Sequence, residues 1–147
     1  MAITVYGTYR TKIEAMTPAD LLPPEIAGGN VQYVYDEYTA AALAAANVIA
    51  VCKKLPVGAR IVNWWIDATA LSTVSLKFGT LADDDEFMEN TATANAAKKM
   101  CMDDDGITQS LGFEIAEGNG QTLIITTSGP SAATGTIKVA VAYAVKG

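Results

Sequence analysis

Beyond residue 30 the chain reads as a series of short segments in which apolar and polar positions alternate, the period of a pleated strand with one buried face. The clearest is TIKVAVAYAV (136–145). There Val139, Val141, Tyr143 and Val145 fall on one side, and Lys138, Ala140, Ala142 and Ala144 on the other. Segments of similar character are VQYVYDEY (31–38), NVIAVCKKL (47–55), RIVNWWIDA (60–68), VSLKFGT (74–80), LGFEIA (111–116) and QTLIITT (121–127). Val and Ile, stiff at χ1, suit a pleated surface better than a helix. PVGA (56–59), EGNGQ (117–121) and SGPSAATG (128–135) supply good turn chemistry between them. Many short strands punctuated by Gly and Pro argue for an antiparallel sandwich or barrel.

One stretch tests that reading. TAAALAAANVIAVC (39–52) holds seven alanines in fourteen residues, and alanine is the strongest helix former. In helical register its apolar residues surround the whole cylinder and leave no polar face. A helix over 39–46 has only about two turns, too short to stand without packing. The expectation is therefore strand from Gln32 to about Ala40, a bend over Ala41–Asn47, then strand to Leu55. Helix is expected at most once, over ADDDEFMEN (82–90), where acids fill a first turn and suit the positive end of the macrodipole. TATANAAKKM (91–100) reads as loop. Residues 1–30 stand apart: TPADLLPPEIAGGN carries three of the five prolines and ends in a turn signal, so this piece is expected to be an extended arm. The apolar Leu21, Leu22 and Ile26 are its candidate contacts with a neighbouring subunit. The domain proper is expected to span 31–147, with no linker dividing it.

Composition narrows the chemistry. The chain has 147 residues, enough for one core, and 50% of them are hydrophobic, which is a globular composition. A net charge of −6 without a Lys/Arg-rich run argues against nucleic acid as a partner. No apolar run approaches the roughly 20 residues of a membrane-spanning helix, and the first residues lack the layout of a signal peptide. Membrane attachment is not expected. Cys52 and Cys101 have no metal-ligand spacing and read as ordinary buried thiols.

Histidine is absent, which removes Ser-His-Asp and Cys-His machinery and the usual general base near neutral pH. Carboxylate catalysis needs two acids facing each other across a cleft with one pKa raised. Here the acids crowd into Asp83–Glu86 and Asp103–Asp105 instead, so neither an enzyme nor a cofactor is expected. CMDDDGITQSLG (101–112) aligns Gly106 with the turn glycine of an EF-hand, but Cys101 and Gly112 then occupy the first and twelfth positions, where carboxylates belong. An irregular Ca²⁺ loop and a solvated acidic turn both stay open there. GNG (118–120) lacks the spacing and the helix of a phosphate loop and reads as a hairpin turn.

Trp64 and Trp65 are adjacent, so in a strand they point to opposite faces. Val62, Trp64 and Ile66 are assigned to the core. Trp65 then shares a mostly polar face with Asn63 and Asp67, the setting of an interface anchor. Cover by a loop of the same subunit is the bland alternative.

The run from VYDEYTAAAL through NVIAVCKKLPVGARIVNWWIDATAL and VSLKFGTLADDDEFM to TGTIKVAVAYAV resembles small structural proteins of tailed-bacteriophage heads, described as capsid decoration, cement or head-fibre-base proteins. The features that carry the resemblance are the LPVGARI turn and strand, the FGT turn with its aspartate-rich loop, and the closing TGTI…Y strand. The resemblance implies an antiparallel β-sandwich of jelly-roll type, a homotrimer, the major capsid protein of the phage head as partner, and a place on the capsid surface after synthesis in the host bacterial cytoplasm. It brings no catalytic residues. From a different class, a carbohydrate- or receptor-binding module stays open, because Trp65 beside Asp67 also suits a sugar.

Overall fold

The computed structural model describes residues 30–43, 47–69, 71, 74–92, 98–102, 111–116, 120–129 and 133–145. These form eight strands: β1 (Val31–Leu43), β2 (Val48–Leu55), β3 (Arg60–Ala68), β4 (Ser75–Thr80), β5 (Met88–Ala92), β6 (Lys98–Cys101), β7 (Gln121–Ser128) and β8 (Ala133–Ala144). They build two four-stranded sheets, ordered β1-β8-β3-β6 and β2-β7-β4-β5. Every pairing is antiparallel. The first strand pairs with the last, the second with the last but one, and so inward to β4 with β5. That is one long hairpin wound around a barrel axis, the topology of a jelly roll. The all-β sandwich expected from the alternation is the architecture observed.

Alternation explains which side chains fill the space between the sheets. On β8, Val139, Val141 and Tyr143 are buried, while Lys138 is exposed. On β3, Trp64, Ile66 and Ala68 are buried, and Trp65 and Asp67 lie outside. From the second sheet Leu76, Phe78, Leu123 and Ile125 close the core. An aromatic series runs through it. The rings of Trp64 and Phe78 meet edge to face at 5.3 Å, those of Phe78 and Phe87 are tilted at 5.3 Å, and Phe87 and Phe113 again meet edge to face at 5.2 Å.

Several expectations need correction. Val62 is outside the core, because a bulge between Ile61 and Asn63 inserts a residue, so that Ile61 instead of Val62 points inward. Residues 82–90 hold turns and the start of β5 in place of a helix. Phe87 donates its N–H to the Phe78 carbonyl (3.0 Å) and Thr80 donates to Asp83 (2.7 Å), so the acidic loop folds back on β4. Burying Phe87 and Met88 outweighs a two-turn helix with no apolar face to pack. A Cβ on Gly79 would lie 2.2 Å from the Asp83 carbonyl oxygen, so only glycine admits the loop there. The region read as loop over 91–100 contributes the end of β5 and most of β6.

LGFEIA is not a continuous strand, although Ile61 and Phe113, and Ala59 and Ile115, share backbone hydrogen bonds at 2.9 and 2.8 Å. In the alanine-rich run β1 continues to Leu43, past the bend expected from Ala41, and strand resumes at Val48. Of the arm expected over 1–30, residues 1–29, with Leu21, Leu22 and Ile26, lie outside the described residues.

The two neighbouring tryptophans should therefore respond differently to truncation. Trp64→Ala is expected to cost about 3–5 kcal/mol of unfolding free energy, the range for buried aromatics. Trp65→Ala, in dilute solution, should cost less than about 1 kcal/mol. Urea titrations of both variants check this.

Candidate functional site

Cross-strand register decides which residues share the outer face of the β1-β8-β3-β6 sheet. Ala140 of β8 is opposite Tyr35 on one side and Trp65 on the other, and Trp65 is opposite Cys101 of β6. Tyr35, Ala140, Trp65 and Cys101 thus form one row across all four strands. Two residues along, Lys138 is opposite Glu37 and Asp67, and Asp67 is opposite Lys99. This second row reads Glu37, Lys138, Asp67, Lys99, with strictly alternating charge. On the other side of the apolar row, Ala142 separates Tyr33 from Asn63.

Large aromatics stand exposed here: Tyr33 is 71% exposed, Tyr35 62% and Trp65 40%. Shallow depressions flank the Trp65 indole. One, of about 420 Å³, is lined by Trp65, Asp67, Lys99 and Cys101 among others; the other, of about 220 Å³, by Tyr35, Trp65, Lys138 and Ala140 among others. The Tyr35 hydroxyl donates to Glu37 Oε2 at 3.0 Å, and this bond, helped by burial and nearby acids, pushes its pKa up. Of the three β3 residues expected at an interface, Trp65 and Asp67 are displayed together. Asn63 is held by the bulge, where its Oδ1 accepts the Trp64 N–H at 2.8 Å. Sequence reasoning missed Tyr33, Tyr35 and the two lysines. The signal was present in the i, i+2 spacing of the tyrosines within VQYVYDEY, but only register connects them to Trp65.

At the open side of the sandwich β1 and β2 are both edge strands. Cys52 interrupts β2 with a φ of 59°, and β2 spends Cys52, Lys53 and Lys54 where β7 spends Thr122 alone. A side chain in this left-handed region is strained. The Cys52 N–H turns from β7 to donate to Asp36 Oδ2 on β1 at 2.7 Å, and Asp36 Oδ1 accepts from the Glu37 N–H at 2.8 Å. Burial, with a smaller push from Asp36, raises the Cys52 thiol to about 11. It is an unreactive neutral thiol at physiological pH.

Among the described residues, one acidic group has ligand-like spacing, Asp83, Asp84 and Asp85. Lys77 Nζ reaches both Asp84 and Asp85 at 3.2 Å. Hydrogen bonding with Asp83, and then the hydrogen bond from Lys77, hold the Asp85 carboxyl below the usual aspartate range. This cluster is already partly neutralised by its own cation. Most of the other acidic loop, including Asp103–Asp105 and Gly106, lies outside the described residues, as does most of the GNG turn.

No family model matches the chain, and no curated protein matches it. Solved structures do. A chain of the cyanophage Pam1 capsid asymmetric unit aligns at a TM-score of 0.62 and 22% identity, covering 79% of this chain and 85% of that one. A chain from the capsid of Ralstonia phage GP4 aligns at a TM-score of 0.60 and 20% identity, covering 81% and 86%. At such identities the similarity is one of fold.

The raised Cys52 pKa fixes a pH dependence. A thiol that ionises later in the folded chain favours folding fully below its unfolded value of about 8.5. The advantage is lost as pH rises from there toward about 11. Chemical denaturation from pH 7 to 11 should show a steeper loss of stability in the wild type than in Cys52→Ala; parallel curves would contradict the assignment.

Proposed function

We propose that the chain is a structural protein of a tailed-phage virion, placed on the outside of the head as a decoration or cement protein. The observation that carries this reading is that its jelly roll aligns, over most of both chains, with components of two phage capsids. The physical properties agree with such a role. The core is closed by apolar and aromatic packing, and the exposed aromatics sit on a sheet, a rigid platform for contact. A net charge of −6 suits the outer surface of a shell whose interior is lined with packaged phosphate. In this role the protein is made in the host cytoplasm and then binds the major capsid protein, bridging adjacent capsomers.

Copies gathered around a closed axis, three according to the sequence resemblance, present several shell-binding surfaces at once. After the first contact each further one is effectively intramolecular. Such clamping resists the outward pressure of packaged DNA without any chemistry. A second reading, a carbohydrate- or receptor-binding module on the virion, is favoured by one observation: the exposed Trp65 has Asp67 beside it and depressions on both flanks.

Purified heads lacking this protein, mixed with the recombinant chain and sedimented, separate these readings. Saturable binding at a fixed ratio to the shell protein is expected, and the decorated heads should retain DNA at temperatures where bare heads release it. An absence of head binding overturns the proposal. Glycan-array binding without head binding replaces it with the receptor-binding reading.

A further inference from the structure

The outer face of the β1-β8-β3-β6 sheet carries two patterns that share one symmetry. The charged row runs negative, positive, negative, positive from β1 to β6, as Glu37, Lys138, Asp67 and Lys99. The adjacent row runs large, small, large, small, as Tyr35, Ala140, Trp65 and Cys101. Alternating charge alone has a simpler explanation, because opposite charges on neighbouring strands stabilise a solvated sheet. That explanation leaves two facts aside. No ion pair joins the four charges within 4.0 Å among the described residues, and the only hydrogen bond seen within this group and the tyrosines beside it is the one from Tyr35 to Glu37. The row of alternating size beside them, with Tyr35 62% and Trp65 40% exposed, also goes unexplained.

We propose that this face docks on the same face of a second copy of the chain, about a two-fold axis that runs parallel to the strands between β8 and β3. Such an axis reverses each row onto itself. Glu37 then meets Lys99 of the second copy, and Lys138 meets its Asp67, with both contacts repeated by symmetry. In the next row Trp65 settles over Ala140 of the second copy, and Tyr35 over its Cys101. Every charge faces its opposite, and every large side chain faces a small one. An isologous contact requires this self-complementarity, and a pattern of odd period would not provide it. Strands of the two copies run nearly aligned, as in ordinary face-to-face sheet packing about 10 Å apart. The depressions flanking Trp65 take up the partner's indole and phenol.

The proposal stands independently of any role in a capsid. It is also separate from the three-fold association implied by the sequence resemblance, which uses a heterologous contact. Both together would give six copies with dihedral symmetry.

Charge reversal with mixing tests it. In Lys138→Glu the reversed residue faces Asp67 of an identical copy, and in Asp67→Lys the new lysine faces Lys138. Each variant alone should therefore lose self-association in sedimentation-velocity series by at least about tenfold, a modest cost for two desolvated like-charge contacts. Mixed in equal amounts, the two variants have every charge opposed again and should associate as the wild type does. Ala140→Tyr leaves the charges intact and the outward strand position suited to an aromatic, so the fold is preserved. It places large against large at the axis and should also abolish the contact. An even copy number for the wild type, with recovery on mixing, supports the proposal. A wild type that is monomeric or only trimeric overturns it, as does an unrecovered mixture of folded variants. A face that binds phage heads as a monomer assigns the surface to the shell protein and overturns it as well.

Discussion

The edge-to-face contact of Trp64 with Phe78 joins the two sheets at the middle of the core, and much of the rest is positioned by it. Trp64 is on β3 and Phe78 on β4, so one contact links the layers across the sandwich. Phe87 and Phe113 extend it into the acidic loop and the segment beside β3. Because neighbours on a strand face opposite ways, committing Trp64 to the core commits Trp65 to solvent. Register then carries that commitment across the sheet, placing Ala140, Tyr35 and Cys101 beside it. Core packing and the outer contact face are consequences of the same strand phase.

Departures from regular pairing adjust this scheme where the hairpin must bend. The bulge before Asn63 moves Ile61 into the core and Val62 out of it. The irregularity at Cys52 lets Leu55 return to the core after two exposed lysines, and it frees an N–H that Asp36 satisfies from the other sheet. This link joins the two edge strands on the open side. An inward-leaning carboxylate there also discourages edge-to-edge association. At the opposite end of the strand order, Gly79 allows the acidic loop to lie against β4, where Lys77 receives Asp84 and Asp85.

These particulars explain what could be read from the sequence. β8 was legible from Thr136 onward because its apolar residues alternate there, whereas its first residues, Ala133–Gly135, carry turn composition and read as part of the turn before it. β3 was legible at its second half and misjudged at Val62, since a bulge shifts phase without leaving a compositional mark. The acids of 82–90 carried a helix signal that lost to burial of Phe87 and Met88, a tertiary effect that local propensity does not contain. The face around Trp65 was half legible. Its β3 members are neighbours in sequence, whereas Lys138 joins them through a pairing across some 70 residues, and Tyr35 only through Ala140, some 105 residues away. A single sequence gives the period of each strand but not which strands lie side by side.

The central claim is that a rigid jelly roll displays Trp65 as the anchor of a contact with another copy. Hydroxyl-radical footprinting across a dilution series measures this directly, with Trp64 as an internal standard. Trp64 should stay unoxidised throughout, while Trp65 should be protected at high concentration and become reactive on dilution. Equal oxidation of Trp65 at every concentration would contradict the account.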